Sequence, residues 1–298
     1  MPPPLFPGFV SARPVVDGVA VNVVMGGAGP PLLLLHGYPQ THALWHKVAP
    51  RLAQRYTVVA ADLRGYGDSG KPATDARHAP YAKREMAKDI VGAMRALGFQ
   101  RFFLAGHDRG GRLAHRLAAD HADAVARLAV LDISPTLAMY ERTDMAFARA
   151  YWHWFFLIQP APIPERMIGA DPAFYLRRKM GDGAAGMKPF APEAWAEYER
   201  CFTPETIHAS CEDYRAAATI DLEHDRADRQ AGRRLACPLL ALWGTNGVIE
   251  KCFTPLADWG AVASDVRGGA LPAGHYLPEE VPSLVADEFE RFFTEQSL

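Results

Sequence analysis

Short apolar runs, most of them bounded by glycine, proline or polar residues, recur along the chain. Leu32 to Leu35, Thr57 to Ala61, Phe102 to Ala105, Leu128 to Leu131, Leu239 to Trp243 and roughly Ala261 to Val266 read as strands buried on both faces, the pattern of a parallel sheet. Helical patterns at Tyr81 to Leu97, at Arg112 to Ala119 and from about Pro282 to Phe293 complete the alternation, so the class is α/β. Near the start, Val15 to Val24 alternates loosely around Asp17-Gly18, a hairpin signal, until Gly26-Gly27-Ala28-Gly29-Pro30 breaks it. This predicts two antiparallel edge strands. No internal repeat or low-complexity tract interrupts the pattern.

The alternation stops after Asp132 and resumes near Pro238. The stretch between is rich in Trp, Tyr, Phe, Met and Arg and is broken by Pro160, Pro162, Pro164, Pro172, Pro189, Pro192 and Pro204. It reads as a helical cap inserted into one core rather than as a second domain, because the final strands return after it. The expected division is residues 1–134 and 236–298 as the core and 135–235 as the cap.

With 298 residues, 49% of them hydrophobic and 22% charged, the chain can bury a core of that size. A formal net charge of −2 gives no global reason to expect nucleic acid or an anionic membrane as a partner. The start, Met1 to Val10, lacks the character of a signal peptide, and no stretch of the sequence has the length expected of a membrane span. Cys201, Cys211, Cys237 and Cys252 lack zinc spacing and C-x-x-C pairing, as expected of reduced thiols in the cytoplasm.

Chemistry enters at Gly106-His107-Asp108-Arg109-Gly110, between an apolar run and a helical pattern. This is a G-x-nucleophile-x-G elbow with a carboxylate where an esterase carries serine. A serine attacking a saturated carbon would give an unreactive ether. Asp108 would give an alkyl ester that water can cleave at the carboxyl carbon, which points to alkyl halides or epoxides. Cleavage needs a histidine held by a carboxylate. His275, in Gly274-His275-Tyr276, follows the last expected strand. Asp132, in Leu131-Asp132-Ile133, is the assigned acid, with Glu250 as the fallback; Asp132 as a cap for the following segment is the plainer alternative.

Two donors for an oxyanion are expected from the backbone N–H groups of Arg109 and of Tyr38, in His36-Gly37-Tyr38-Pro39, with His36 bracing that loop. Arg109 and Arg112 fall in the first turn of the helix, where the macrodipole disfavours cations by about 0.3–1 kcal/mol each. Guanidinium forks match carboxylates, so the pair is assigned as a clamp for a substrate carboxylate rather than as surface charge. In Tyr151-Trp152-His153-Trp154, His153 and Trp154 carry N–H donors, and Tyr214 carries a hydroxyl. From composition alone these three are equally a halide cradle or aromatic core.

Together these residues resemble the fluoroacetate (haloacetate) dehalogenases of the α/β-hydrolase superfamily. The likeness runs through His36 to His42, Asp62 to Ser69, Gly106 to Arg112, Leu131 to Ile133, Cys211 to Arg215 and Gly274 to Glu280. The resemblance implies an α/β-hydrolase fold, a mostly parallel sheet flanked by helices. It implies Asp108 as nucleophile, Arg109 and Arg112 as carboxylate clamp, and Asp132 and His275 as relay and base. His153, Trp154 and Tyr214 become the halide cradle. A 2-haloacid is the implied substrate, with no cofactor, no metal and a homodimer. One departure is that the tyrosine after Asp132 falls at Tyr140, slightly out of the family's register, which bears on pocket shape and halide preference. The rival readings are an epoxide hydrolase, using Tyr214 and Tyr140 as proton donors, and a non-catalytic carboxylate-binding protein.

Overall fold

The computed structural model describes residues 5–294 apart from 182 and 184. The ends of the expected core, 1–4 and 295–298, lie outside the described residues. Strands are β1 (Val10–Ala12), β2 (Val15–Val16), β3 (Val19–Ala20), β4 (Val23–Gly26), β5 (Pro31–Leu35), β6 (Thr57–Ala61), β7 (Phe102–His107), β8 (Val125–Leu131), β9 (Leu239–Gly244) and β10 (Val266–Leu271). The main sheet runs β1-β4-β6-β5-β7-β8-β9-β10. Its first two pairings are antiparallel and the rest parallel.

Period-two alternation divides the apolar runs between the two faces of the sheet. Leu33, Leu35, Val59, Leu104 and Val130 join one core cluster, and Leu32, Leu34, Val58, Phe103 and Leu131 join the other. Helices Lys83–Ala96 and Arg109–Asp120 cover the first face. Phe289, Phe292 and Phe293 of helix Pro282–Thr294 cover the second. Between β8 and β9 the chain is helical, from Thr136–Glu141 to Ile220–Gln230. Its Phe147, Trp154, Tyr198 and Tyr214 share the first cluster with the sheet, so the insertion has no separate core at this contact.

Two strand expectations need correction. Asp17 and Gly18 both have positive φ (46° and 82°), the requirement of a two-residue hairpin turn; they close a separate β2–β3 ribbon. The antiparallel edge is instead β1 on β4, and β4 is interior. The last strand is Val266–Leu271, not Ala261–Val266. As an edge strand it is only partly buried and its Arg-Gly-Gly interior carries no apolar run. Hydrogen bonding to β9 makes it a strand.

Strand register sets up the site. Leu35 is level with Gly106, His107 with Leu131, and Leu131 with Leu242. The carboxyl ends of β5, β7, β8 and β9 therefore open on one crevice, where this architecture places ligands.

Candidate active site

Asp108 joins β7 to helix Arg109–Asp120 with φ 46° and ψ −114°, a conformation that costs a non-glycine residue about 1–3 kcal/mol. Close packing enforces it. A Cβ on Gly106 would collide with the backbone of Gly110, and one on Gly110 with the backbone of Leu35 and His36. Strand and helix therefore meet too closely for any side chain there, and the carboxylate is thrust forward from a sharp turn.

The two oxygens of Asp108 face different groups. Oδ1 accepts the Tyr38 N–H at 3.0 Å, while Oδ2 lies 4.0 Å from Nε2 of His275. His36 accepts the Leu63 N–H at Nε2 (3.1 Å), and its Nδ1 meets the Gly37 carbonyl at 2.9 Å, which ties the Tyr38 loop in place. Nδ1 of His275 is 2.6 Å from Oδ2 of Asp132, whose Oδ1 accepts the Gly244 N–H at 3.0 Å. Asp132 is thus held from both sides, with φ 51°. Glu250 is elsewhere: its carboxylate accepts the indole N–H of Trp243. Burial pushes the Asp108 carboxyl up, but His275, Arg112, His107 and Arg109 outweigh it and hold the group well below the usual carboxylate range. It is an anion ready to attack. His107, pushed down to about 3 by burial, is neutral and donates from Nε2 to the His275 carbonyl at 2.7 Å.

Arg109, Arg112 and Arg116 are spaced 3 and 4 apart, one face of the helix, and that face meets the insertion. Arg116 is a tie, bonded to Asp225 and Asp228 at 2.6 Å each. Arg109 is half a tie. Its Nε and Nη2 form a fork on Asp213 at 2.8 and 2.7 Å, and Nη2 also donates to the Asp213 carbonyl at 2.8 Å. The fork expected for a substrate is therefore occupied, and only Nη1 is left, buried and without a partner among the described residues. Arg112 gives Nη1 to Ser134 O (3.2 Å) and Thr136 Oγ1 (3.1 Å) and leaves Nε without a partner among the described residues.

Both guanidiniums lie over aromatic rings, Arg109 over Tyr214 at 4.2 Å and Arg112 over Trp154 at 4.5 Å, a cation–π geometry. His153 stacks on Tyr38 at 6.2 Å and meets Tyr214 edge-on at 5.9 Å; Trp154 lies 6.3 Å from Tyr214. The indole N–H of Trp154 and the hydroxyl of Tyr214 are buried without partners among the described residues. The structure thus brings together Asp108, His275, Asp132, Arg109, Arg112, His153, Trp154, Tyr214 and the Tyr38 N–H. Tyr140, the residue out of register, packs its ring 5.0 Å from that of Trp154 and has a buried hydroxyl with no partner.

Sequence reasoning missed Tyr151 and Asp213. The Tyr151 hydroxyl is 3.5 Å from Nδ1 of His275, and Asp213 immobilises Arg109. Both stood inside motifs that drew attention to a neighbour. For Asp213 the available signal was a carboxylate at an otherwise apolar helix position beside Tyr214.

The family model for the alpha/beta hydrolase fold matches residues 30–251. A fluoroacetate dehalogenase from Burkholderia sp is 48% identical over 98% of this chain and 96% of its own length. A soluble epoxide hydrolase from Corynebacterium sp. (strain C12) is 35% identical over 94% and 95%. Among solved structures, a protein from Nostoc sp PCC 7120 superposes with a TM-score of 0.94 at 52% identity, covering 97% of this chain and 99% of its own. The epoxide hydrolase CorEH superposes at 0.87 with 33% identity, covering 96% and 99%. With an aspartate elbow, a paired arginine face and a full-length match to a dehalogenase, the chain belongs to the haloacetate dehalogenase family of the α/β-hydrolases.

Proposed function

We propose that this protein hydrolyses the carbon–halogen bond of haloacetates, releasing glycolate, halide and a proton. Asp108 Oδ2 attacks the halogen-bearing carbon while Nη1 of Arg109 and Nε of Arg112 hold the substrate carboxylate. Halide leaves toward His153, Trp154 and Tyr214. The product of this step is an ester on Asp108. His275, oriented by Asp132, then takes a proton from water as that water attacks the Asp108 carboxyl carbon. The N–H groups of Tyr38 and Arg109 receive the developing oxyanion; its collapse breaks the ester C–O bond, glycolate leaves with the proton that His275 took up, and the Asp108 carboxyl loses a proton to return to the carboxylate. Residues 135–235 act as a cap that excludes bulk solvent, which strengthens each of these interactions. The working form is a cytoplasmic homodimer.

The observation that carries this reading is the set of buried donors on Arg109, Arg112, Trp154 and Tyr214 that the described residues leave unsatisfied. A buried donor without an acceptor is costly, and two such cations beside two such neutral donors suit a small anion that becomes two anions. An epoxide, being neutral, would leave Arg109 Nη1 and Arg112 Nε without an anionic acceptor, although Tyr151 and Tyr214 could serve as its proton donors. A pure binding protein would have no use for the Asp132–His275 pair.

The test is halide release from fluoroacetate and chloroacetate by wild type and Asp108→Ala. Release of both ions, abolished in the variant, is expected. Chloride alone would keep the mechanism and deny defluorination. Neither ion from folded wild type would sink the assignment and bring an epoxide panel forward.

A further inference from the structure

Lys83 is a buried charge that this mechanism does not use. It opens helix Lys83–Ala96 and is 3% exposed. Its ammonium bonds to Oδ1 of Asp213, the carboxylate that grips Arg109. The backbone N–H of Lys83 donates to Asp221 Oδ1 at 2.8 Å, and its Nζ lies 3.8 Å from Asp221 Oδ2. The Tyr66 hydroxyl donates to Asp213 Oδ2 at 2.8 Å. A core helix and an insertion helix thus converge on one carboxylate shared by two cations.

An ammonium is expensive to bury, and a carboxylate already matched by a guanidinium fork needs no second cation for its own sake. The effect falls on Arg109. A buried one-to-one arginine–carboxylate pair is close to neutral to its surroundings. Lys83, itself 3.8 Å from Asp221, bonds to the same carboxylate and divides the negative charge of Asp213, so that Asp213 offsets less of the guanidinium charge at the Nη1 edge. The cations oppose each other across Asp213: burial and then Arg109 push the Lys83 ammonium down, while Asp213 and Asp221 pull it up.

We infer that Lys83 is a positioning residue for carboxylate recognition, acting through Asp213 to fix Arg109 with Nη1 free and to keep that edge electropositive. The inference rests on the proposed haloacid substrate, and its test separates the two. In an Asp108→Asn background, which removes turnover, ¹⁹F NMR titration measures binding of fluoroacetate and of neutral fluoroacetamide. Three changes are compared: Lys83→Met, Lys83→Arg, and Lys83→Met with Asp221→Asn, the last balancing charge if the single variant fails to fold. Fluoroacetate affinity is expected to fall by about tenfold or more in both methionine variants and to stay within about threefold in Lys83→Arg, with fluoroacetamide nearly unchanged. In the active enzyme the same changes raise KM and leave kcat within about threefold. Unchanged fluoroacetate affinity in the folded double variant, or equal weakening for the amide, would overturn the role. If wild type releases no halide, the proposed function falls, and the acetate-to-amide binding ratio still decides the role of Lys83.

Discussion

The guanidinium carbon of Arg109 lies 4.2 Å from the ring centroid of Tyr214, and each residue keeps one buried donor group, Nη1 and the phenolic hydroxyl, with no partner among the described residues. Burial and then Asp108 push the Tyr214 hydroxyl well above its ordinary pKa, against the pull of Arg109. It therefore stays protonated and available as a donor. Tyr214→Phe keeps the ring under Arg109 and removes only the hydroxyl. Turnover of fluoroacetate is expected to fall by about 10²–10³-fold, the usual cost of one preorganised donor to a concentrated charge. Chloride spreads its charge over a larger ion, so chloroacetate should lose clearly less. Ion-selective electrodes follow both reactions, and equal losses would show that the hydroxyl serves something other than the halide.

His275→Asn should separate the two half-reactions. Attack by Asp108 does not need the imidazole, whereas cleavage of the ester does. The expected result is a single equivalent of halide released rapidly, followed by arrest, with a carboxymethyl group found by mass spectrometry on the peptide that contains Asp108. Loss of the first turnover as well would mean that His275 also supports displacement.

Asp132 accepts from Gly244 and pairs with His275 at 2.6 Å. Asp132→Asn preserves its shape and loses the charge that supports an imidazolium, so kcat should drop by about 10²–10⁴-fold with little change in Tm. Glu250→Gln should leave turnover nearly intact, because that carboxylate is engaged with Trp243. Steady-state kinetics on the two variants side by side decide between the acids; the reverse ranking would reassign the relay.

Glu279 offers a stability test away from the chemistry. It is buried against Tyr198, which donates to it at 2.6 Å, and burial pushes its carboxyl up to about 7, against about 4.3 in an unfolded chain. Between those values the folded state binds more protons, so this group's contribution to stability declines as pH rises through the window and is lost above about 7. Buried histidines such as His107 act with the opposite sign at lower pH, so the clean quantity is the difference between variant and wild type. Glu279→Gln should match wild type near pH 5 and exceed it near pH 8 by on the order of 1–3 kcal/mol. Urea denaturation at the two pH values measures it, and a pH-independent difference would place the carboxyl's folded pKa near its ordinary range.

Local features were readable from the chain alone. The apolar runs Leu32 to Leu35 and Phe102 to Ala105 announce buried strands because both faces of a parallel strand are covered. The Gly106 to Gly110 elbow is legible because strand, turn and helix constrain adjacent residues. Where pattern is weak, reading fails: β10 is an edge strand with glycines at its centre, and only pairing with β9 defines it. The pairing of His275 with Asp132 rather than Glu250 spans 143 positions and depends on the register of β8 and β9. The fate of Arg109 is the clearest case. Its residue type and helix position say that it can bind a carboxylate, and they say nothing of which one. Packing of helix Pro204–Ala218 against the elbow supplies Asp213 as the partner and leaves only the Nη1 amino group without one among the described residues. Type and local pattern set which chemistry a residue is able to do; long-range packing decides which of its atoms remain free to do it.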